Sequence, residues 1–151
     1  MIIRDAQPAD VPAMSAMLYA LKDAGKRTRP CDEAFVMESY VASLHHICCY
    51  IAVDGDEVLG LQTLTHAYEG NPYNAPLGSG MIGTHVSPNA ARRGIGRGLF
   101  ERTLEAAREA GLTGIEAFIQ KTNDDGHFYY GAMGFEPVRE DGTALVRFYT
   151  L

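Results

Sequence analysis

The stretch Arg92-Arg93-Gly94-Ile95-Gly96-Arg97-Gly98 limits what this chain can fold into more than any other. Ahead of it, Met81-Ile82-Gly83-Thr84-His85-Val86 is short and partly β-branched, and Ser87-Pro88-Asn89 closes it, so it reads as a strand running into a turn. Behind it, Leu99, Phe100, Thr103, Leu104, Ala107 and Ala110 recur at helical spacing, and Gly111 supplies a stop. A glycine- and arginine-rich loop therefore joins a strand to the first turn of an amphipathic helix. The leading amides of a helix have no internal partner and carry the positive end of its dipole. Without Cβ atoms, Gly94, Gly96 and Gly98 let an anion approach that backbone, while Arg92, Arg93 and Arg97 add charge. The pattern predicts a phosphate cradle.

Two common cradles fit poorly. No Gly-Lys-Ser/Thr is present, as a nucleotide-hydrolase loop requires. The spacing is Gly-x-Gly-x-Gly and starts several residues past the strand, whereas a dinucleotide fold turns directly from strand to helix. A net charge of -6 argues against a nucleic-acid partner, so any phosphate binding falls to the local arginines. A length of 151 residues suits one domain, 1–151, with a real core. Cys48 and Cys49 are adjacent and point to opposite faces of a strand, and with Cys31 they fit neither a disulfide framework nor a zinc site. Buried thiols, and no metal, are the expectation. Met1 to Asp5 is not an apolar leader and no run is long enough to span a bilayer, so the chain reads as cytoplasmic and free of membrane.

Taken in order, Ile2 to Arg4 is a short strand. Asp10 then caps a helix with Val11, Met14, Met17, Leu18 and Leu21 on one face, ended by Gly25. Pro30 and Asp32 open a second helical pattern with Val36, Tyr40 and Leu44 four apart. Ile47–Val53 and Val58–Leu64 flank an Asp-Gly turn, the signal of a hairpin. Tyr68 to Gly80 is a long irregular connection, of a kind that is either functional or mobile. A strand from Thr113 to Ile119, a helix from Asp124 to Met133, a strand entry at Gly134 to Val138 and a last strand from Ala144 to Tyr149 complete the chain. The order β-α-α-β-β-β-α-β-α-β-β predicts an α/β fold with a mixed sheet and helices on its faces.

The glycine loop resembles the coenzyme A pyrophosphate loop of the GCN5-related N-acetyltransferases, Gln/Arg-x-x-Gly-x-Gly/Ala. With Gly94 and Gly96 in register, Ala91 stands at the Gln/Arg position; a register on Arg93, Gly96 and Gly98 also satisfies the pattern. A second segment, Asn123 to Phe135, resembles that family's Asn-x-x-Ala-x-x-x-Tyr-x-x-x-Gly-Phe, with Asn123, Tyr130, Gly134 and Phe135 matching and Gly126 in place of the alanine. The resemblance runs from Ile2 to Tyr149. It implies a mostly antiparallel sheet of six to seven strands and acetyl transfer from acetyl-CoA to a primary amine of a small molecule or peptide, by direct attack in a ternary complex.

Several residue roles follow from that resemblance. Strand Met81–Val86 would splay from strand Thr113–Ile119, leaving backbone groups of Thr84, His85 and Val86 open to the pantetheine arm. The pyrophosphate would sit on the amides of Arg92, Arg93, Gly94, Ile95, Gly96, Arg97 and Gly98, with Asn123 touching the pantetheine region from the other side. Tyr130 stands where the family has its general acid, and a phenol titrating at about 10 is protonated at neutral pH. Tyr129 reads as structural. No base is legible: Glu116 and His85 are candidates, as are His66, Glu69 and a water chain. The acceptor cleft would be bounded by the Lys22–Pro30 connection, whose Lys26, Arg27 and Arg29 read as a solvated loop or a substrate rim, by the Ala67–Gly80 loop and by the end of the last strand; Tyr68, Glu69 and Tyr73 would suit a small cationic amine or a peptide amino terminus. The final strand, Leu145–Leu151, would offer an exposed edge for a homodimer. The alternative is a sensor that binds acetyl-CoA without turning it over; it would keep the glycine loop but have no need of Tyr130.

Overall fold

The computed structural model describes residues 1–90 and 93–151; Arg92, one of the expected cradle residues, lies outside them with Ala91. Seven strands form one sheet in the order β1-β2-β3-β4-β5-β7-β6. Here β1 is Ile2–Asp5, β2 His46–Asp54, β3 Glu57–His66, β4 Gly80–Val86, β5 Gly114–Gln120, β6 Glu136–Asp141 and β7 Ala144–Thr150. All neighbours pair antiparallel except β4 and β5. Those two run parallel and pair at only Gly80↔Ile115 and Met81↔Glu116. Beyond Met81 the sheet is split.

The helices divide between the faces because strand side chains alternate. Helix α1 (Val11–Asp23) buries Met14 and Leu18 completely, against Cys49, Ile51, Val53 and Leu61. Each such aliphatic side chain contributes about 1.5–3 kcal/mol when taken from water. Helix α3 (Ile95–Glu109) covers the opposite face, with Ile95 and Leu99 on Ala52 and Leu59. Further along it, Phe100 and Ala107 meet Cys48, Leu64 and Ile115, a cluster shared with Tyr130 and Phe135 of the α4 (Asp124–Met133) region. Cys48 and Cys49 do project to opposite faces as free buried thiols, each pushed up to about 12 by burial. Gly60 admits α3 closely, since a Cβ there would meet Ile95 Cγ2 at 2.9 Å.

Three expectations need correction. Asp10 holds the N-cap position of α1 but its side chain makes no cap bond there: the carboxylate accepts from the Gln7 amide at 2.8 Å and from both terminal nitrogens of Arg4, at the end of a 3-10 turn over Pro8–Asp10. The second helical pattern is short. Helix α2 (Glu33–Val36), capped by Asp32, widens into a π turn over Met37–Val41 and stops before Leu44, which is 91% exposed rather than core. The last strand is not an edge either. It lies between β5 and β6, so β1 and β6 are the free edges, and the proposed pairing of Leu145–Leu151 with a partner has no open ladder.

Candidate active site

The split between β4 and β5 leaves hydrogen-bonding groups exposed, and alternation decides which. The Ser87 amide donates to Leu59 O at 2.8 Å, and Ser79 O accepts from Ala67 at 2.9 Å, both toward β3. With no irregularity between them, odd-numbered residues of β4 turn their backbone to β3 and even-numbered ones to the split. The open groups thus belong to Thr84 and Val86, as expected. Those of His85, grouped with them from the sequence, face β3, opposite Leu61.

At the wide end of the split stands the N-terminus of α3. Gly94 is its N-cap in a left-handed conformation (φ 73°), without any side-chain cap, and the first helical bond is Gly98 N–H to Gly94 O at 3.0 Å. The amides of Ile95, Gly96 and Arg97 therefore have no partner among the described residues. This supports the register on Gly94 and Gly96. Gly98 is inside the helix with its amide in use, and a Cβ on it would meet Ile3 Cδ1 at 2.5 Å, so its small size serves packing on β1. The Ile95 side chain is buried, leaving only its amide to a ligand. Arg97 is exposed, while Arg93 already lies 3.6 Å from Asp54.

Facing α3 across the split, α4 presents two tyrosines with separate tasks. The Tyr130 hydroxyl is 2.8 Å from Thr84 Oγ1 and buried. The Tyr129 hydroxyl donates to Gly96 O at 2.7 Å and accepts from Gln62 Nε2 at 2.9 Å. Since the Tyr129 hydrogen is used on Gly96, the Gln62 amide must donate, and it does so to Thr84 Oγ1 as well, at 3.0 Å. Thr84 Oγ1, which accepts that bond, also shares one with the Tyr130 hydroxyl in which either group can donate. Burial pushes Tyr130 above the ordinary phenol range, and Tyr129 to about 12. Tyr129 is thus more than packing. A Cβ on Gly96 would lie 2.5 Å from its ring, so it holds the start of α3 in place.

Asn123 caps α4 through Oδ1, which accepts from the Gly126 amide at 3.0 Å, and its Nδ2 is left over. Gly126 lies against the cap. A Cβ there would stand 2.6 Å from Asn123 Nδ2 and 3.0 Å from Ile119, so an alanine would require the Asn123 side chain to shift.

The other face of the split is charged. Side chains of Glu116 and Phe118 project opposite to Ile115, Ala117 and Ile119, away from α3 and α4. Glu116 is 2% exposed and bound by Arg139 Nη1 at 2.7 Å, with Oε2 unpartnered. Arg139 Nη2 also donates to Tyr73 O at 2.8 Å, so this pair ties the loop before β4 to the sheet. Across the split, His85 faces α2, with Nε2 3.4 Å from the Tyr40 hydroxyl. Burial first, then Arg27 and Arg29, push its imidazole down to about 3.

Of the expected acceptor residues, only Tyr73 reaches this face, its ring 4.9 Å from Phe118. Tyr68 stacks on His45 at 4.0 Å and, with the exposed Glu69, lines a separate hollow of about 410 Å³ beside Asn71 and Leu77. Neither that hollow nor a larger one of about 500 Å³ beside α1 and Asp54 includes Tyr130 or His85. The loop itself is stapled by the buried Asn71, which accepts from the Tyr73 and Ala75 amides and donates to the Tyr68 and Ala75 carbonyls. Gln62 and Arg139 give no signal in the sequence because each sits in a segment with no motif, while Arg27 falls in the connection expected to be a solvated loop or a substrate rim and Tyr40 in the second helical pattern. No cluster of three metal-ligating side chains occurs among the described residues, and no helix among them is long and apolar enough to cross a membrane.

The match with known proteins falls on this geometry. Residues 15–135 match the model of the acetyltransferase (GNAT) family, and the chain belongs to that family of N-acetyltransferases. No curated protein matches it in sequence. Among solved structures, a GCN5-related N-acetyltransferase from Kribbella flavida is similar at 21% identity and TM-score 0.77, over 99% of this chain and 97% of that one. The PaiA N-acetyltransferase of Thermoplasma acidophilum in complex with coenzyme A is similar at 14% identity and TM-score 0.74, over 99% and 98%. YncA from Salmonella typhimurium, solved with acetyl-CoA, is similar at 20% identity and TM-score 0.66, over 99% and 92%.

Proposed function

We propose that the protein transfers an acetyl group from acetyl-CoA to a primary amine, with donor and acceptor held at once on opposite sides of the β4–β5 split. The observation that carries this reading is the placement of unpartnered amides at the start of α3 and the buried Tyr130 hydroxyl around one opening in the sheet. Acetyl-CoA supplies a thioester: the amine nitrogen bonds to its carbonyl carbon as the carbon–sulfur bond breaks, sulfur keeps the electron pair and gains a proton, and the amine loses one.

The chain's own groups fit such a donor. The Ile95, Gly96 and Arg97 amides, with the Arg97 guanidinium, would hold the pyrophosphate, where each charge-assisted bond is worth about 1.5–3 kcal/mol. Thr84 and Val86 would pair with the amide-bearing arm as a strand would, and Asn123 Nδ2 is free to reach it from α4. Tyr130 keeps its proton at any neutral pH and would donate it to the leaving sulfur. On the acceptor side Glu116 is held by Arg139 and His85 is too weak a proton acceptor to act as an efficient base, so the amine's proton would leave through water. Holding both reactants in one geometry contributes several kcal/mol without a dedicated base.

Thermal melting beside free CoA and ATP tests the donor. At a hundred times the dissociation constant, acetyl-CoA and CoA should each stabilise by about 2.7 kcal/mol, a rise of roughly 5–11 °C, and ATP should do little. Thiol release on adding a panel of primary amines tests the transfer. A CoA-induced rise with no release from any amine would instead favour the sensor.

A further inference from the structure

The acceptor face carries positive charge that the chain does not balance. Arg27 is only 8% exposed. Its Nε and Nη2 donate to Pro30 O at 3.2 and 2.7 Å, and Nη2 also to the Tyr40 hydroxyl at 3.1 Å. Among the described residues Nη1 has no partner, and no carboxylate pairs with either Arg27 or Arg29. Both guanidinium carbons lie over the Phe35 ring, 5.8 and 5.4 Å from its centre. The Tyr40 ring meets that ring edge-on at 5.6 Å and stands 5.8 Å from the His85 ring. Two cations, two aromatic rings and a neutral imidazole thus form one cluster beside the split.

Two neighbouring cations are paired. Lys26 has Asp125 at 3.6 Å, and on the far rim Arg139 has Glu116. A buried charge normally keeps a counter-ion, because desolvating it alone is costly. A carbonyl and a hydroxyl solvate Arg27 without cancelling its charge, while Arg29 is exposed and rests on the Phe35 face.

Resting on the reading above, we propose that the acceptor is a small amino acid-like molecule, whose carboxylate is held by Arg27 and Arg29 while its amine enters the split beside His85. The missing counter-charge then arrives with the substrate. This replaces the cationic acceptor expected from Tyr68 and Glu69, which stand elsewhere.

Product-like probes test the site without any turnover. N-acetylglycine, N-acetyl-β-alanine and N-acetyl-γ-aminobutyrate are titrated against their carboxamides, following the His85 ring resonances by NMR. At least one acid should shift them saturably and bind tenfold or more tighter than its carboxamide. Arg29→Gln, at an exposed position and checked by its melt, should abolish that difference; Arg27→Gln should do likewise if it folds. Equal binding of acids and carboxamides, no shift with any acid, or discrimination intact in Arg29→Gln would each overturn the proposal. Thiol release with the matching free amino acids separates the two readings. Acids that bind without any amine being acetylated leave the anion site standing and remove the transfer reaction. Amines acetylated with no acid binding do the reverse.

Discussion

On the α3–α4 side of the split the polar groups are neutral and close a hydrogen-bond circuit, from Gln62 through Thr84 to Tyr130 and through Tyr129 to Gly96. On the α1–α2 side they are charged: Glu116 with Arg139, and Arg27 and Arg29 pressing on His85. The neutral side orients one proton and leaves helix amides bare, which suits a donor whose own charge lies at its phosphates. The charged side has one balanced pair and one unbalanced pair, which suits an acceptor that carries charge. On the proposed reading one opening in the sheet would serve both, because strand side chains alternate between faces while the backbone lies in the split.

The sharpest way to break this division is Tyr130→Phe. On the proposed reading it lowers turnover about 10²- to 10⁴-fold while the CoA-induced rise in melting temperature stays as in the wild type, since the phenol is not among the groups assigned to the pyrophosphate. A fall in both together would mean that the circuit builds the donor site rather than supplying a proton. Arg139→Met tests the opposite side. It strands the Glu116 carboxylate and frees the Tyr73 carbonyl, and should cost about 3 kcal/mol, the low end for a broken buried pair because Arg139 is 33% exposed. Chemical denaturation would measure the loss, and acceptor KM should rise more than kcat falls as the rim loosens.

A smaller effect sharpens the electrostatic contrast. The unfolded His85 titrates near 6.5 and the folded one at about 3, so between those values the unfolded chain binds more protons. Stability should therefore decline as the pH drops below 6.5, and His85→Gln should flatten that decline in urea midpoints taken across the range. An unchanged slope would mean that the imidazole is not held neutral by the fold.

The donor side was largely legible before the fold was known. Its chemistry sits in two contiguous segments, Gly94–Gly98 and Asn123–Phe135, where spacing along the chain becomes spacing in space through one helical turn. Even Gly126, the departure from the pattern, lies against its local neighbour Asn123. The α4 boundaries, Asp124 to Met133, also followed from the local pattern. Less was legible where a residue's partner lies far away. Tyr129 looked structural because Gly96 is 33 positions distant, and Arg139 carried no signal because Glu116 is 23 away. Leu44 kept the helical period, yet the π turn ends the helix before it.

The sequence by itself determined the element order, the strand–glycine loop–helix unit and the tyrosine opposite it, because each is a run in which neighbouring residues are also neighbours in the structure. Only the tertiary structure decided that Thr84 and Val86, and not His85, open their backbone to the split, because that depends on which side of β4 its partner strand occupies. It alone decided that β7 is interior, and that Arg27, Arg29, Phe35, Tyr40 and His85 share one site. Side chains drawn from three separate segments face one another only once the sheet has brought those segments together.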